Sequence, residues 1–266
     1  MLHCDQDGAE PRFHPGDRVI DETCVAAGEL TDQQRAVFAD VLSQAITGEL
    51  IGMANYAAMV RLYPHQDDQR DMLLAAASEL GHSERFRRAA RELGVTPIVN
   101  LEAPYWRRIR RSLLRQVDAN DPIACLLIQE VMLESFAYSM YHAVADVAHE
   151  RLATVFRAIG DEEDAHGDHA VEVLKRELGA NREAFEHKLE QLHDEVMTTL
   201  AEMLATKDSV EHCGLCHGEC VKGALPLVGL DRATLRGLAL NRYLRTLDRI
   251  GVRGELSLSW VARLPV

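Results

Sequence analysis

The sequence has few aromatic residues and no strand-like alternation. Phe, Trp and Tyr together make up only 5% of the 266 residues, and no segment alternates between apolar and polar side chains with the period of a β-strand. Apolar residues recur instead at three and four positions over long stretches, which is the spacing of one helix face. The sequence therefore predicts an all-α protein, a bundle whose core is packed by Leu, Ala and Val.

An excess of basic residues is also lacking. The net charge of −13 argues against nucleic acid as a partner, because phosphate backbones attract positive surfaces. One short basic run lies at residues 107–115. We expect it to be a solvated helix face, and a docking site for an acidic redox partner is the alternative.

Targeting and membrane segments are not predicted either. The first residues lack the basic and apolar regions of a secretory signal. No apolar run reaches the length that crosses a bilayer. We therefore expect a cytoplasmic protein with no membrane span.

Two regions differ in composition. Residues 1–28 are rich in Gly, Pro and Asp without periodicity, and we expect an irregular N-terminal arm there. Residues 29–266 are predicted to form one helical domain that contains a Cys/His-rich loop at 207–225. Periodicity and capping residues predict helices over about 37–62, 68–93, 105–117, 122–147, 149–178, 181–206, 232–250 and 256–264.

Two Glu-x-x-His motifs alternate with two lone glutamates along the predicted helices. In chain order the residues are Glu49, Glu79-x-x-His82, Glu134 and Glu163-x-x-His166. Residues three apart lie on the same helix face, so a carboxylate and an imidazole can reach one metal ion together. A Glu from each of two helices and a Glu-x-x-His from each of two others form the ligand set of a di-metal carboxylate site in a four-helix bundle.

The surroundings of Glu134 also favour a metal site. It lies in the apolar segment 125–138, where an unpaired carboxylate would be costly to bury. Metal coordination removes that cost. Carboxylates with two imidazoles suit iron or manganese, whereas thiolates would favour zinc. We therefore expect two metal ions, iron with manganese as a possible substitute.

Short segments around these ligands resemble the aldehyde-deformylating oxygenases, ferritin-like enzymes that are also called fatty aldehyde decarbonylases. The resemblance covers most of residues 40–178 and, more weakly, residues 238–251. The matching segments are Ile46-Thr-Gly-Glu49, Asn55-Tyr56, Glu79-x-x-His82, Gly94-Val-Thr-Pro97, Cys125-Leu-Leu-Ile-Gln129, Glu134-Ser-Phe-Ala137, Tyr141 and Glu163-x-x-His166.

The resemblance implies a ferritin-like four-helix bundle with additional C-terminal helices. It implies O2 activation at two irons and conversion of an aldehyde to a hydrocarbon and formate. The chain has no Rossmann glycine fingerprint or flavin motif, so an external electron donor such as ferredoxin is needed. The implied iron ligands are Glu49, Glu79, His82, Glu134, Glu163 and His166, and the implied neighbours in the pocket are Tyr56, Tyr141 and Gln129.

The spacing of the two tyrosines agrees with such a role. Tyr56 lies two helical turns past Glu49, and Tyr141 lies two turns past Glu134, each on the same face as its glutamate. We expect their hydroxyls to bind ligand carboxylates. Ordinary core tyrosines with one satisfied hydroxyl are the alternative.

Three residues depart from the family pattern. Tyr138 and Glu130 lie one turn after and one turn before Glu134, and His169 follows His166 by three residues. If these groups enter the pocket, a polar substrate suits it better than an alkyl chain, which would leave them unsatisfied. In the alternative, Glu130 and His169 turn to solvent.

The substrate therefore stays open between an aldehyde and a more polar small molecule. One alternative function is a di-iron N-oxygenase or oxidative C–C-cleaving enzyme of a biosynthetic pathway. Another is a non-catalytic ferritin-like iron-binding protein.

A cysteine-rich segment is not associated with the family. It reads His212-Cys-Gly-Leu-Cys-His-Gly-Glu-Cys220 and so contains Cys213, Cys216 and Cys220. This spacing predicts a zinc knuckle, with His212, His217 or a cysteine of the arm as fourth ligand. Redox-active thiols and an iron–sulfur cluster are the alternatives.

Overall fold

The described part of the chain is helical throughout. The computed structural model describes residues 30–205, 213–217 and 220–265, without the side chains of residues 165–169. No strand occurs among these residues, which confirms the predicted all-α class. The arm predicted for residues 1–28 lies outside the described residues.

Nine α-helices follow one another along the described residues, besides two short 3-10 helices. They are α1 (Asp32–Met59), α2 (Gln66–Glu92), α3 (Pro104–Asp118), α4 (Pro122–Val147), α5 (Glu150–Ala180), α6 (residues 182–203), α7 (Val221–Ala224), α8 (Arg232–Ile250) and α9 (Gly254–Val261). The eight predicted helices correspond to α1–α6, α8 and α9. The four-residue α7 was not predicted, because one turn is too short to show a period.

Local signals in the sequence set several helix ends. The Thr31 hydroxyl accepts from the backbone N–H of Gln34, and the Gln34 side chain accepts from the backbone N–H of Thr31, so a capping box begins α1. Gly94 and Gly251, which follow α2 and α8, have φ of 68° and 96°. Glycine adopts this left-handed conformation without steric cost, and it ends a helix.

The four longest helices form the bundle. α1 packs along α2, α4 packs along α5, and α2 also contacts α5. The rings of Phe86 on α2, Tyr141 on α4 and Phe156 on α5 meet in its core, with centroids 4.7–5.7 Å apart. α3 packs on α1 and α8 packs on α4, so these helices cover the bundle from outside.

One segment of α4 departs from regular α-helical winding. Leu127–Leu133 forms a π-helix, in which N–H groups bond to carbonyls five residues back, and all seven residues are buried. π-turns inside α-helices occur often at functional sites. This one ends directly before Glu134 and was not predicted. A second π segment, His193–Met197, lies in α6.

The basic run at 107–115 lies on α3. Arg108 pairs with Glu202, and Arg115 pairs with Glu195, both on α6. These pairs are partly exposed, so they contribute little to stability. Two of the arginines in the basic run thus form ion pairs within the chain.

Two helices are apolar and long enough to cross a membrane by composition, α4 and α1 with the turn that follows it. In the structure 72% and 67% of their apolar windows are buried inside the protein. Packing in the bundle core therefore accounts for their apolarity. The cytoplasmic location stays a prediction.

Candidate metal centre

Four predicted ligands meet at the centre of the bundle. Glu49 lies on α1, Glu79 and His82 on α2, and Glu163 on α5, and their ligand atoms all lie within 4.8 Å of one another. None of the four residues is more than 3% exposed. Three helices thus direct three carboxylates and one imidazole to one point.

The His82 ring is held with its Nδ1 atom towards this cluster. Nδ1 lies 3.0 Å from Oε2 of Glu49 and 2.7 Å from Oε1 of Glu163. Nε2 on the opposite side lies 3.0 Å from Oε2 of Glu162. A carboxylate on the outer nitrogen fixes the tautomer and the orientation of a metal-binding histidine.

Glu162 is itself anchored by Arg85, which forms a two-pronged ion pair with it. Burial disfavours the Glu162 carboxylate, but the hydrogen bonds from His82 and Arg85 outweigh burial and lower its pKa to about 2. The carboxylate beside His82 is therefore ionised at neutral pH.

The carboxylates of the cluster repel one another in a dry environment. Burial, followed by the charges of Glu163 and Glu49, raises the pKa of Glu79 well above its ordinary value. Burial and the charges of Glu163 and Glu130 do the same to the pKa of Glu134.

The pKa of His82 is raised as well. Burial alone would lower its pKa, but the charge of Glu163 and the hydrogen bonds with Glu162, Glu163 and Glu49 raise it. A bound cation would relieve the same excess of negative charge.

An unsatisfied oxygen also fits a metal ion. Oε1 of Glu79 is buried and has no hydrogen-bond partner among the described residues. A buried carboxylate oxygen without a partner is costly. Oxygen and nitrogen donors without thiolate suit iron or manganese. The described residues of this cluster therefore fit the predicted metal type.

Glu134 lies beside the four clustered ligands and belongs to a buried chain of amides. Its Oε1 accepts from Nε2 of Gln129 at 2.7 Å, and Oε1 of Gln129 accepts from Nδ2 of Asn55 at 2.9 Å. All three residues are buried. Gln129 and Glu134 are five residues apart. The wider π-helical turn brings them onto the same side of α4, so their side chains can form this hydrogen bond. The side chain of His166, the sixth predicted ligand, lies outside the described residues.

The two predicted tyrosines have different partners. Tyr141 donates a hydrogen bond to Glu49, as expected for a tyrosine that supports a ligand. Tyr56 donates instead to Oε1 of Glu130 at 2.6 Å. Glu130 is 8% exposed. The expectation that Tyr56 binds a ligand carboxylate does not match this contact.

Two of the polar departures from the family pattern, Tyr138 and Glu130, do not line the main cavity. Tyr138 packs against the guanidinium of Arg242, 4.3 Å from the ring centroid, and against the ring of His142. It lines a smaller cleft together with Glu130 and the candidate ligands Glu134 and Glu163. The ring turns towards α8, so Tyr138 is not part of the main cavity wall, and its catalytic role stays a prediction. The His169 side chain lies outside the described residues.

A cavity of about 160 Å³ opens on the metal site. Its inner wall includes Glu49, Glu79, Gln129, Glu134 and Tyr141. The outer part of the wall is mainly apolar and is formed by residues of α1, α3 and α4 and of the segments after α6. It includes Ala45, Trp106, Leu133, Phe136, Ala137, Met140, Val144, Leu204, Leu225 and Leu235.

The cysteine loop does not assemble the predicted zinc site among the described residues. Cys213 and Cys216 are buried with their Sγ atoms 3.1 Å apart, whereas His217 binds Asp40. The described part of the chain contains one cluster of three or more potential ligands, and it is the bundle cluster. The zinc prediction is thus unsupported, and His212 lies outside the described residues.

A helical bundle with paired carboxylates and histidine at its centre defines the ferritin-like di-metal carboxylate proteins. The family model for long-chain fatty aldehyde decarbonylases matches residues 31–213, and the chain belongs to that family. This confirms the predicted resemblance and an enzyme of the di-iron oxygenase class.

The fold is also similar to a solved structure, described as protein 19 with aldehyde deformylating oxidase activity from Synechococcus. The TM-score is 0.72 at 17% sequence identity. The match covers 88% of this chain and 98% of that chain.

Several contacts of the site were not predicted from the sequence. Arg85 lies three residues past His82, so a shared face with the ligand was a visible signal. Glu162 directly precedes the candidate ligand Glu163, and nothing in the sequence distinguishes it from other helix glutamates. Asn55 belongs to one of the segments that resemble the family, but its contact with Gln129 was not predicted.

Proposed function

We propose that this chain is a di-iron oxygenase that converts an apolar aldehyde into a hydrocarbon and formate. The observation that carries this proposal is the mainly apolar cavity whose inner wall includes the carboxylates Glu49, Glu79 and Glu134. An apolar wall accommodates an alkyl chain, and the few polar groups at one end orient the reacting group. Membership of the decarbonylase family supports the same reaction.

Six side chains would hold the two metal ions. When bound, iron supplies the binding and reduction of O2, and manganese is the alternative that the same donors accept. Glu79 and His82 would bind through one face of α2, and Glu163 with His166 through one face of α5. The proposed ligands are Glu49, Glu79, His82, Glu134, Glu163 and His166.

Tyr141 holds one ligand in position and faces the substrate space. Its hydroxyl donates to Glu49, and its ring lines the cavity. Burial and the charge of Glu49 raise the pKa of Tyr141 well above its ordinary value. The phenol therefore stays protonated at neutral pH and keeps donating to the carboxylate.

Gln129 holds a second ligand. Asn55 binds the amide oxygen of Gln129, so the amide nitrogen is directed at Glu134. A carboxylate held by one hydrogen bond keeps its other oxygen for a metal ion. Gln129 also lines the cavity, and we assign it a positioning role.

The outer wall would bind the alkyl chain and exclude water. Phe136, Met140 and Val144 follow one another at helical spacing along α4 and face the cavity. Water exclusion strengthens the electrostatic interactions at the inner end. Tyr138, which suggested a polar substrate, lies outside this wall, so we favour the aldehyde over the polar alternatives.

The reaction needs electrons from outside the chain. Formate takes one oxygen atom of O2 besides the aldehyde oxygen, and the other atom leaves as water, so O2 must be reduced. The sequence contains no flavin or nicotinamide motif. We propose a small external donor such as ferredoxin.

A direct assay tests this function. Iron-loaded protein is mixed with saturated aldehydes of increasing length, O2, ferredoxin and its reductase. We expect a hydrocarbon one carbon shorter and an equal amount of formate. Oxygen consumption without hydrocarbon from any aldehyde would contradict the proposal. Iron content distinguishes an oxygenase from an iron-storage protein, since an oxygenase binds about two irons per chain and a storage protein binds many.

A further inference from the structure

We propose that Cys213 and Cys216 form a reversible dithiol–disulfide site in the cavity wall, which exchanges with small disulfides and dithiols. Their Sγ atoms lie 3.1 Å apart, and each residue is 7% exposed. A disulfide has a sulfur–sulfur distance of about 2.05 Å. The two sulfurs therefore need to approach by only about 1 Å to bond.

The turn between the cysteines holds the two thiols together. Gly214 has a φ of 74°, a conformation that favours glycine, and Leu215 is fully buried in the core. Cys216 Sγ accepts a hydrogen bond from the backbone N–H of Val221 at 3.4 Å. These contacts order the loop on both sides of the pair.

His217 anchors the loop to the bundle. Its backbone N–H and its Nδ1 both lie within 3.0 Å of Oδ1 of Asp40 on α1. Asp40 is 6% exposed. Because the loop is already ordered in the dithiol form, closing the bond costs little further conformational entropy.

Small molecules reach the pair through the cavity. Cys213 lines the cavity, and the same wall reaches the surface at Cys220 and Lys222, which are partly exposed. A protein partner is too large to contact sulfurs with this burial. The exchanging molecules are therefore low-molecular-weight disulfides and dithiols.

A small disulfide oxidises the pair in two steps. The Cys213 thiolate attacks one of its sulfurs, a mixed disulfide forms, and one small thiol leaves. Cys216 then attacks the Cys213 sulfur, and the second small thiol leaves. The two cysteines lose two protons and two electrons, and the small disulfide is reduced to two thiols. A dithiol reverses the reaction by the same steps.

The pair is distinct from the metal centre and does not depend on the proposed reaction. Structural zinc needs four protein ligands, and the described residues bring no third ligand into a cluster with these two cysteines. The family match also ends at residue 213, so Cys216 lies outside the matched region. The exchange chemistry is thus a property of this chain's own loop.

Mass spectrometry of the full chain tests the proposal. Reduced, desalted protein is treated with oxidised glutathione and digested without reductant. We expect a peptide cross-link between Cys213 and Cys216, a mass loss of about 2 Da for the intact chain, and full reversal by dithiothreitol. Cys213→Ser and Cys216→Ser should each abolish the cross-link. The matched variant Cys220→Ser should retain it.

Three results would overturn the proposal. The first is that no cross-link forms at excess glutathione disulfide. The second is a cross-link that joins Cys213 or Cys216 to a different cysteine. The third is about one zinc per chain that protects both thiols until a chelator removes it. The cross-link map of the wild-type protein decides the question even if a serine variant fails to fold.

Discussion

The imidazole of His82 binds the carboxylate of Glu162 through Nε2 at 3.0 Å, while its Nδ1 faces the bundle centre. Glu162 therefore orients a proposed ligand from outside the site. Arg85 keeps this carboxylate ionised and in place. The contact connects α2 to α5 at the level of the metal site.

Removing this support should weaken metal binding. We expect Glu162→Ala to lower the affinity for Fe(II) by about 10–100-fold, because partners of this kind orient the ligand ring. Affinity is measured by competition with a coloured chelator. The control is Glu172→Ala on the same helix, where Glu172 pairs with Lys175 at the surface. Equal affinities for the two variants would contradict the assignment.

Replacing a ligand carboxylate should have opposite effects on metal binding and on stability. Glu79→Gln should remove bound iron, because the amide is a poor ligand. It should also stabilise the metal-free protein by about 0.5–2 kcal/mol, since one of the mutually repelling carboxylates is gone. Iron analysis and urea unfolding of chelator-treated protein measure both quantities. A less stable metal-free variant would show that repulsion does not control this site.

The stability of the metal-free protein should fall as the pH rises from neutral into the alkaline range. The pKa values of Glu79, Glu134 and His82 are raised in the folded protein. The folded state therefore holds protons that the unfolded state has released, and their stabilising effect is lost as pH rises through the raised values. Burial lowers the pKa of His193 to about 4, so its titration affects stability only at lower pH.

Thermal unfolding with and without metal measures the effect. The metal-free protein should lose melting temperature across this range. The iron- or manganese-loaded protein should change less, because the cation replaces the protons as the source of positive charge. Parallel curves for the two forms would contradict the prediction.

The cavity should select aldehydes by chain length. Ala137→Phe adds a ring to the cavity wall and should lower kcat/KM for long aldehydes by at least about tenfold, because overpacking and lost chain contacts each cost about 1–3 kcal/mol. Short aldehydes should be less affected. The neighbouring variant Tyr138→Phe serves as control, since Tyr138 faces Arg242. A similar loss in Tyr138→Phe would place the substrate on the other side of α4.

The helices and the four clustered residues Glu49, Glu79, His82 and Glu163 could be predicted from the sequence, because both follow from local spacing. Thr31, Gly94 and Gly251 mark helix ends through backbone chemistry, and Glu79 and His82 share a face by their spacing of three. The order of the Glu and Glu-x-x-His residues indicated a four-helix bundle, and the resemblance to the family added the C-terminal helices.

Contacts between helices were harder to predict from the sequence. Tyr56 lies at the expected distance along α1 from Glu49, yet it binds Glu130. Tyr138 lies one turn past Glu134, yet it faces α8. The direction in which a side chain points depends on how its helix is rotated about its axis in the bundle. The π segment changes that rotation within α4. Cys213 reaches the cavity through loop folding that no period encodes.

The π segment Leu127–Leu133 makes the site sensitive to chain length at one point of α4. An extra residue in a helical turn advances the chain by about 100° around the axis. Deleting one residue there would restore regular winding and rotate Gln129 away from Glu134 while leaving every side chain of the site chemically intact. In this stretch of α4 the number of residues is therefore itself a determinant of ligand geometry.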